Sequence, residues 1–137
     1  MDNANALSIT PAAPPRLGRS ILAIAAGLVA IFAVTSAVDA VLHATGVYPP
    51  VGEDMSDGRF ALALAYRLVI NVGGCWLAAR LAPARPMKHA LVLGAIGVVL
   101  SALGAAVMWE HGHHWYPLAL VASALPCAWL GGRRVER

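Results

Sequence analysis

The sequence predicts an all-α membrane protein: a bundle of four transmembrane helices with both termini on the cytoplasmic side. Three observations carry this expectation. First, 59% of the 137 residues are hydrophobic and only 12% are charged, with a mean hydropathy of +0.68. Soluble domains carry about 25% charged residues. Second, four long apolar runs follow one another with short connections. Third, Lys and Arg gather at one set of ends of those runs.

The composition excludes a typical cytosolic enzyme, a disordered chain and a disulfide scaffold. The net charge of +3 does not indicate a nucleic-acid partner. A nucleic-acid reader needs a basic stripe on a water-exposed face, whereas these cations sit in small clusters at span ends.

Residues 1–19 are polar, contain Pro11, Pro14 and Pro15, and read as a flexible cytoplasmic tail. Residues 20–132 form the transmembrane domain, and 133–137 a basic cytoplasmic tail. Helices are expected over 21–43, 60–81, 90–109 and 115–131. The first apolar run has Asp39 as its single charge; the second holds Arg67 and ends on Arg80. The third carries no charge, and the fourth is the shortest. A bilayer core about 30 Å thick needs roughly 20 helical residues. The runs lack the alternation of a barrel strand, so helices are the structure that satisfies their backbone in lipid. Arg16 and Arg19 ahead of an apolar run loosely imitate a secretory leader. The run continues to Leu42, however, and Asp39 would directly precede the cleavage position, so an uncleaved span is expected.

Eight of the ten Lys and Arg residues fall on one side: Arg16, Arg19, Arg80, Arg85, Lys88, Arg133, Arg134 and Arg137. The other side has Arg59 with Glu53, Asp54, Asp57 and Glu110. By the positive-inside rule both termini face the cytoplasm. Trp109, Trp115, Tyr116 and Tyr48 then form an outer aromatic belt, and Trp76 and Trp129 an inner one.

Asp39 and Arg67 are the sharpest candidate site. Their depths differ by about 6 Å at 1.5 Å per helical residue, within reach of an arginine. Intramembrane charges are costly and should pair. Such a pair either fixes the register of two helices or forms an outward-facing substrate or proton site. Tyr66 and His43 lie nearby, and Asn71 follows Arg67 by one turn. Thr35, Ser101 and Ser123 extend a polar line through the bundle. Glu110, His111, His113 and His114 share one outer connection and are weak candidates for a metal or haem site. No other cofactor is expected.

Cys75 and Cys127 sit at similar depths and could face each other; as isolated thiols they read as small apolar packers. Ala23, Gly27, Ala30 and Ala37 on the first helix, and Ala90, Gly94, Gly97, Ser101 and Ala105 on the third, form small-residue seams for close helix approach. These seams fit packing within the chain or between chains. Pro126 should kink the fourth helix. The connection from Ala44 to Gly58 is stiffened by Pro49 and Pro50, and Ser56-Asp57-Gly58 can start the second helix.

Asp39-Ala-Val-Leu-His-Ala-Thr-Gly-Val-Tyr-Pro-Pro50, Ser56-Asp-Gly58, Tyr66-Arg67, His114-Trp-Tyr-Pro-Leu-Ala-Leu120 and Ala124-Leu-Pro-Cys-Ala-Trp-Leu-Gly-Gly132 carry a resemblance. With them the chain resembles a group of small, uncharacterised bacterial four-helix integral membrane proteins. The resemblance implies a multi-pass protein of the bacterial inner membrane and no particular activity. The chain does not resemble the small multidrug exporters, which rely on a glutamate embedded in their first helix.

The expected role is an accessory or scaffold membrane component, with the lipid bilayer, further copies of the chain or other membrane proteins as partners. One alternative is a small oligomeric transporter or channel using Asp39, Arg67, Asn71, Tyr66 and His43. A second is a metal- or haem-binding protein using the outer histidines. No nucleophile–base–orienter set is visible, so hydrolysis is not expected.

Overall fold

The computed structural model describes residues 16–111 and 113–136, with residue 111 by its backbone only. Four helices follow in order: α1 (Arg16–Ala44), α2 (Asp57–Leu81), α3 (Pro86–Val107) and α4 (Trp115–Glu136). A short 3-10 turn, Trp109–His111, lies between α3 and α4. No strand occurs among the described residues.

Three of the helices, α1, α2 and α3, are long and apolar enough to cross a membrane. The fourth differs from the sequence expectation. It has 22 residues, as many as α3. Yet Trp115, Tyr116, Pro117, Pro126, Gly131 and Gly132 dilute its leucines and valines, and it falls short of the others in apolarity.

The helices overrun the apolar runs because helical backbone bonds continue into polar flanks at no cost to burial. Helix α1 begins at Arg16, so residues 16–19 of the expected tail are helical; residues 1–15 lie outside the described part. Helix α4 continues to Glu136 through most of the expected basic tail, and Arg137 lies outside the described part. The second helix starts at Asp57, whose carboxylate favours a helix N-terminus. Ser56 occupies the cap position in extended conformation and makes no side-chain cap bond. The third starts at Pro86, where a missing N–H is harmless. Its cap residue Arg85 is left-handed at φ 50°, a conformation that costs an L-residue about 1–2 kcal/mol. Helix α3 stops at Val107, two residues before the expected end, because the chain tightens there into the 3-10 turn. At the end of α1, Gly46 at φ 76° reverses the chain and Tyr48 N–H bonds back to the Leu42 carbonyl at 3.0 Å.

The helices run up, down, up and down. Gly27 of α1 meets Gly74 and Ala78 of α2, and Gly94 of α3 meets Ala128 of α4. Gly131 of α4 meets Val72 and Trp76 of α2. Helix α2 packs against the other three, whereas the backbones of α1 and α4 make no close approach and occupy opposite corners. Ala23 and Gly27 of the first seam and Ala90, Gly94 and Ala105 of the second are buried within the chain, whereas Ala37 is exposed. The tightest core is Cys75, Ala78, Ala79, Ala90, Leu93 and Ala128. Nearly all its members are small, which lets backbones approach and maximises dispersion contacts where water gives no drive. Leu22, Val29, Phe32, Val69 and Val107 cover the outside.

This topology segregates charge. Arg16, Arg19, Arg80, Arg85, Lys88, Arg133 and Arg134 fall at one end of the bundle. Glu53, Asp54, Asp57 and Glu110 fall at the other, with Arg59. We call these the basic and acidic ends. Pro126 lies inside α4, which continues past it.

Candidate functional site

The acidic half of the bundle is built differently from the basic half. Large aromatic and charged side chains there join buried alanines such as Ala63 and Ala105. Asp39 on α1 faces two consecutive residues of α2, Tyr66 and Arg67. The Arg67 Nη2 donates to Asp39 Oδ2 at 2.7 Å, and the Tyr66 hydroxyl donates to Asp39 Oδ1. The antiparallel α1–α2 contact that starts at Gly27 and Gly74 brings these residues to one level.

The donor directions follow from chemistry. An ionised carboxylate only accepts, so Tyr66 spends its single proton on Asp39. The Tyr48 hydroxyl lies 2.9 Å from that of Tyr66 and is therefore the donor there. Tyr48 comes from the α1–α2 connection and is 4% exposed, the deepest residue of that loop. A relay Tyr48–Tyr66–Asp39–Arg67 thus ties the loop to both helices. From α4, the Tyr116 ring lies 5.9 Å from the Arg67 guanidinium carbon, a cation–π distance.

His43 does not enter the cluster. Its Nδ1 donates to the Pro49 carbonyl at 3.0 Å, and its ring packs edge-on against Tyr48. It braces the loop. Asn71 does not touch the ion pair either. It lines a cavity of about 450 Å³ beneath the pair, with Thr35, Arg67, Ser101 and Tyr116 among the walls. A smaller cavity of about 200 Å³ shares Thr35, Asn71 and Ser101 and reaches down to Leu93 and Gly94. Ser123 leaves the expected polar line: its hydroxyl donates to the Leu120 carbonyl of its own helix, and it borders a groove between α2 and α4.

The outer histidines take different hydrogen-bond partners, although His113 and His114 border one open hollow with Trp109 and Glu110. His113 Nδ1 sits 2.5 Å from Asp57 Oδ1, which also accepts from the Trp115 indole at 2.9 Å. His114 stacks flat on Trp109 at 3.8 Å and donates from Nε2 to the Trp109 carbonyl at 2.7 Å. Glu110 is exposed, and the His111 side chain lies outside the described part. Among the described residues no three His, Cys, Asp or Glu side chains converge as a metal site would need. Cys75 and Cys127 are buried free thiols, and Cys127 points weakly at the Leu68 carbonyl at 3.8 Å.

Two members of the cluster escape sequence reasoning. Tyr48 and Tyr116 read as interface aromatics, because a depth estimate shows their level and not their facing. Comparison with family models, curated proteins and solved structures finds no match.

Chemically, the cluster is a neutral, hydrogen-bonded ion pair roofed by a loop. It holds two helices and a loop together and closes the acidic end over a partly polar cavity. One donor remains unmet: Arg67 Nε is buried without a partner among the described residues.

Proposed function

We propose that this chain is a four-span protein of the bacterial inner membrane, with both termini cytoplasmic, acting as an accessory or scaffold component. One observation carries the role: both carboxylate oxygens of Asp39 are taken by Tyr66 and Arg67 of the same chain. A charge pair satisfied internally holds register without a ligand. The segregation of cations to one end supports the orientation. The crossing of α4 is supported by its packing: it lies against α3 and α2, so it shares their depth. Gly97 faces Ala124 and Gly132 faces Ala90 along this contact.

The test is a conservative double exchange. Asp39→Asn alone should lower the melting temperature in lipid nanodiscs, and Asp39→Asn with Arg67→Gln should restore most of the loss. If the double variant is instead no more stable than Asp39→Asn, the structural role is wrong.

A second reading, a small oligomeric transporter or channel, is favoured by the polar-lined cavity beneath the pair. Ion flux in proteoliposomes that vanishes in a folded Asp39→Asn/Arg67→Gln variant would put it first. The metal or haem reading lacks comparable support, since His113 and His114 are turned to Asp57 and to the Trp109 carbonyl.

A further inference from the structure

The cavity beneath Arg67 has the size and chemistry of a small-molecule site. Its volume of about 450 Å³ lies within the usual range for ligand pockets. Ile31, Phe32, Leu100, Met108 and Leu120 make its walls mostly apolar. Arg67, Asn71, Thr35 and Ser101, with Tyr116 and His113 toward the acidic end, place a few polar groups among them, the usual recipe for orienting a bound molecule.

The cavity reaches the flank of the bundle. Phe32 on α1 is 74% exposed, Leu100 on α3 and Met108 just past its end are 51% and 57% exposed, and all three also line the cavity. Helix α1 meets α3 where Leu93 covers Gly27, toward the basic end. Phe32, Leu100 and Met108 therefore face both the cavity and the outside of the bundle, which in a bilayer is lipid.

The polar groups indicate the chemistry of the occupant. Arg67 gives Nη2 to Asp39, while its buried Nε–H has no partner among the described residues. That nitrogen is sealed even from a molecule the size of water, so the donors left to meet an occupant are those of Asn71, Thr35 and Ser101. The charge of Arg67 is already balanced by Asp39. An anion would leave the site net negative in low dielectric, and a cation would find no free carboxylate. Water alone fits poorly, because each buried water needs two to four polar partners and most of this wall is hydrocarbon.

We propose that this cavity binds an uncharged, apolar-bodied small molecule bearing a hydrogen-bond acceptor such as a ketone oxygen, entering from the bilayer between α1 and α3. Its acceptor takes a hydrogen from Asn71, Thr35 or Ser101, and its body lies against Phe32, Leu100 and Leu120. This goes beyond the accessory role and stands whether the Asp39–Arg67 pair is structural or not.

Benzophenone, a neutral aryl ketone, is the probe. Under near-ultraviolet light its excited carbonyl takes a hydrogen atom from a touching C–H, and the two carbon radicals join. The full chain in nanodiscs is irradiated with it, and the adducts are mapped by mass spectrometry. We expect adducts concentrated on Met108, Leu100 and Leu120. Gly104 lines the cavity, and a Cβ there meets nothing within 4 Å. Gly104→Leu should therefore occupy the space without clash and cut this labelling about five-fold, with melting unchanged. Independently of any variant, dicyclohexyl ketone should compete at least about five-fold better than dicyclohexylmethane, which lacks the acceptor. Adducts spread over lipid-facing Val29 and Leu103 would overturn the site. Equal competition by the hydrocarbon would overturn the acceptor and leave an apolar crevice for acyl chains.

Discussion

Gly27 of α1 lies against Gly74 of α2 so closely that a methyl group at Gly27 would come within 2.6 Å of the Gly74 carbonyl oxygen. The same methyl would meet Leu93 of α3 at 2.7 Å. Three helices therefore depend on one missing side chain, and the contact sets the register that carries Asp39 to Arg67.

Substitution there should be costly. Gly27→Leu forces α1 away from α2 and α3, and overpacking of this kind costs about 1–3 kcal/mol. Gly18, which has nothing within 4 Å of a Cβ, serves as the control on the same helix. Thermal melting in nanodiscs should fall for Gly27→Leu and stay unchanged for Gly18→Leu.

The loop anchor should behave as a single hydrogen bond. Tyr48→Phe removes the donor to Tyr66 and keeps the ring against His43. Its expected cost is about 1 kcal/mol. Limited proteolysis should then cut the loop between Ala44 and Ser56 faster, with the helices intact. An unchanged cutting rate would mean that the hydroxyl does not hold the loop.

The tie between the starts of α2 and α4 should contribute little. Asp57 is well exposed, and exposed pairs contribute about 0–1 kcal/mol. Asp57→Asn should leave the melting temperature nearly unchanged while shifting the tryptophan emission, since Trp115 loses a charged acceptor. A large drop in melting temperature would show that the contact is a principal support.

Orientation is directly measurable. Val51 is 92% exposed in the acidic-end loop, and Ala84 is exposed in the connection at the basic end. The native thiols of Cys75 and Cys127 are buried and should form a silent background. A membrane-impermeant maleimide added to intact cells should label Val51→Cys and spare Ala84→Cys. The reverse pattern would invert the topology.

The Asp39–Arg67 contact is legible in the sequence for a clear reason. Charges inside apolar runs are rare, and the expense of burying each alone demands a partner at its own depth. Tyr66 follows as the neighbour of Arg67. Tyr48 and Tyr116 are not legible, because aromatic residues near a span end usually serve the interface. Asn71 and His43 sit close in sequence to the pair yet are turned to the cavity wall and the Pro49 carbonyl. Spacing along a helix shows a shared face, but not which atoms on that face meet. The histidines illustrate the same limit: adjacency in sequence put His113 and His114 together, and the structure gives one Asp57 and the other Trp109 as its partner.

From the sequence by itself come four helices, the segregation of charge between the two ends, and the requirement that Asp39 find Arg67. Each is a consequence of local chemistry: apolar run length, the position of cations, and the cost of an unpaired charge. Only the tertiary structure decided that Gly27 meets Gly74, that Gly94 meets Ala128, and that α1 and α4 take opposite corners. Small residues are interchangeable as pattern, and their partners are chosen by shape complementarity over whole helices. The cavity beneath Arg67 belongs to the same class, since a void is a property of how four surfaces fail to fill the space between them.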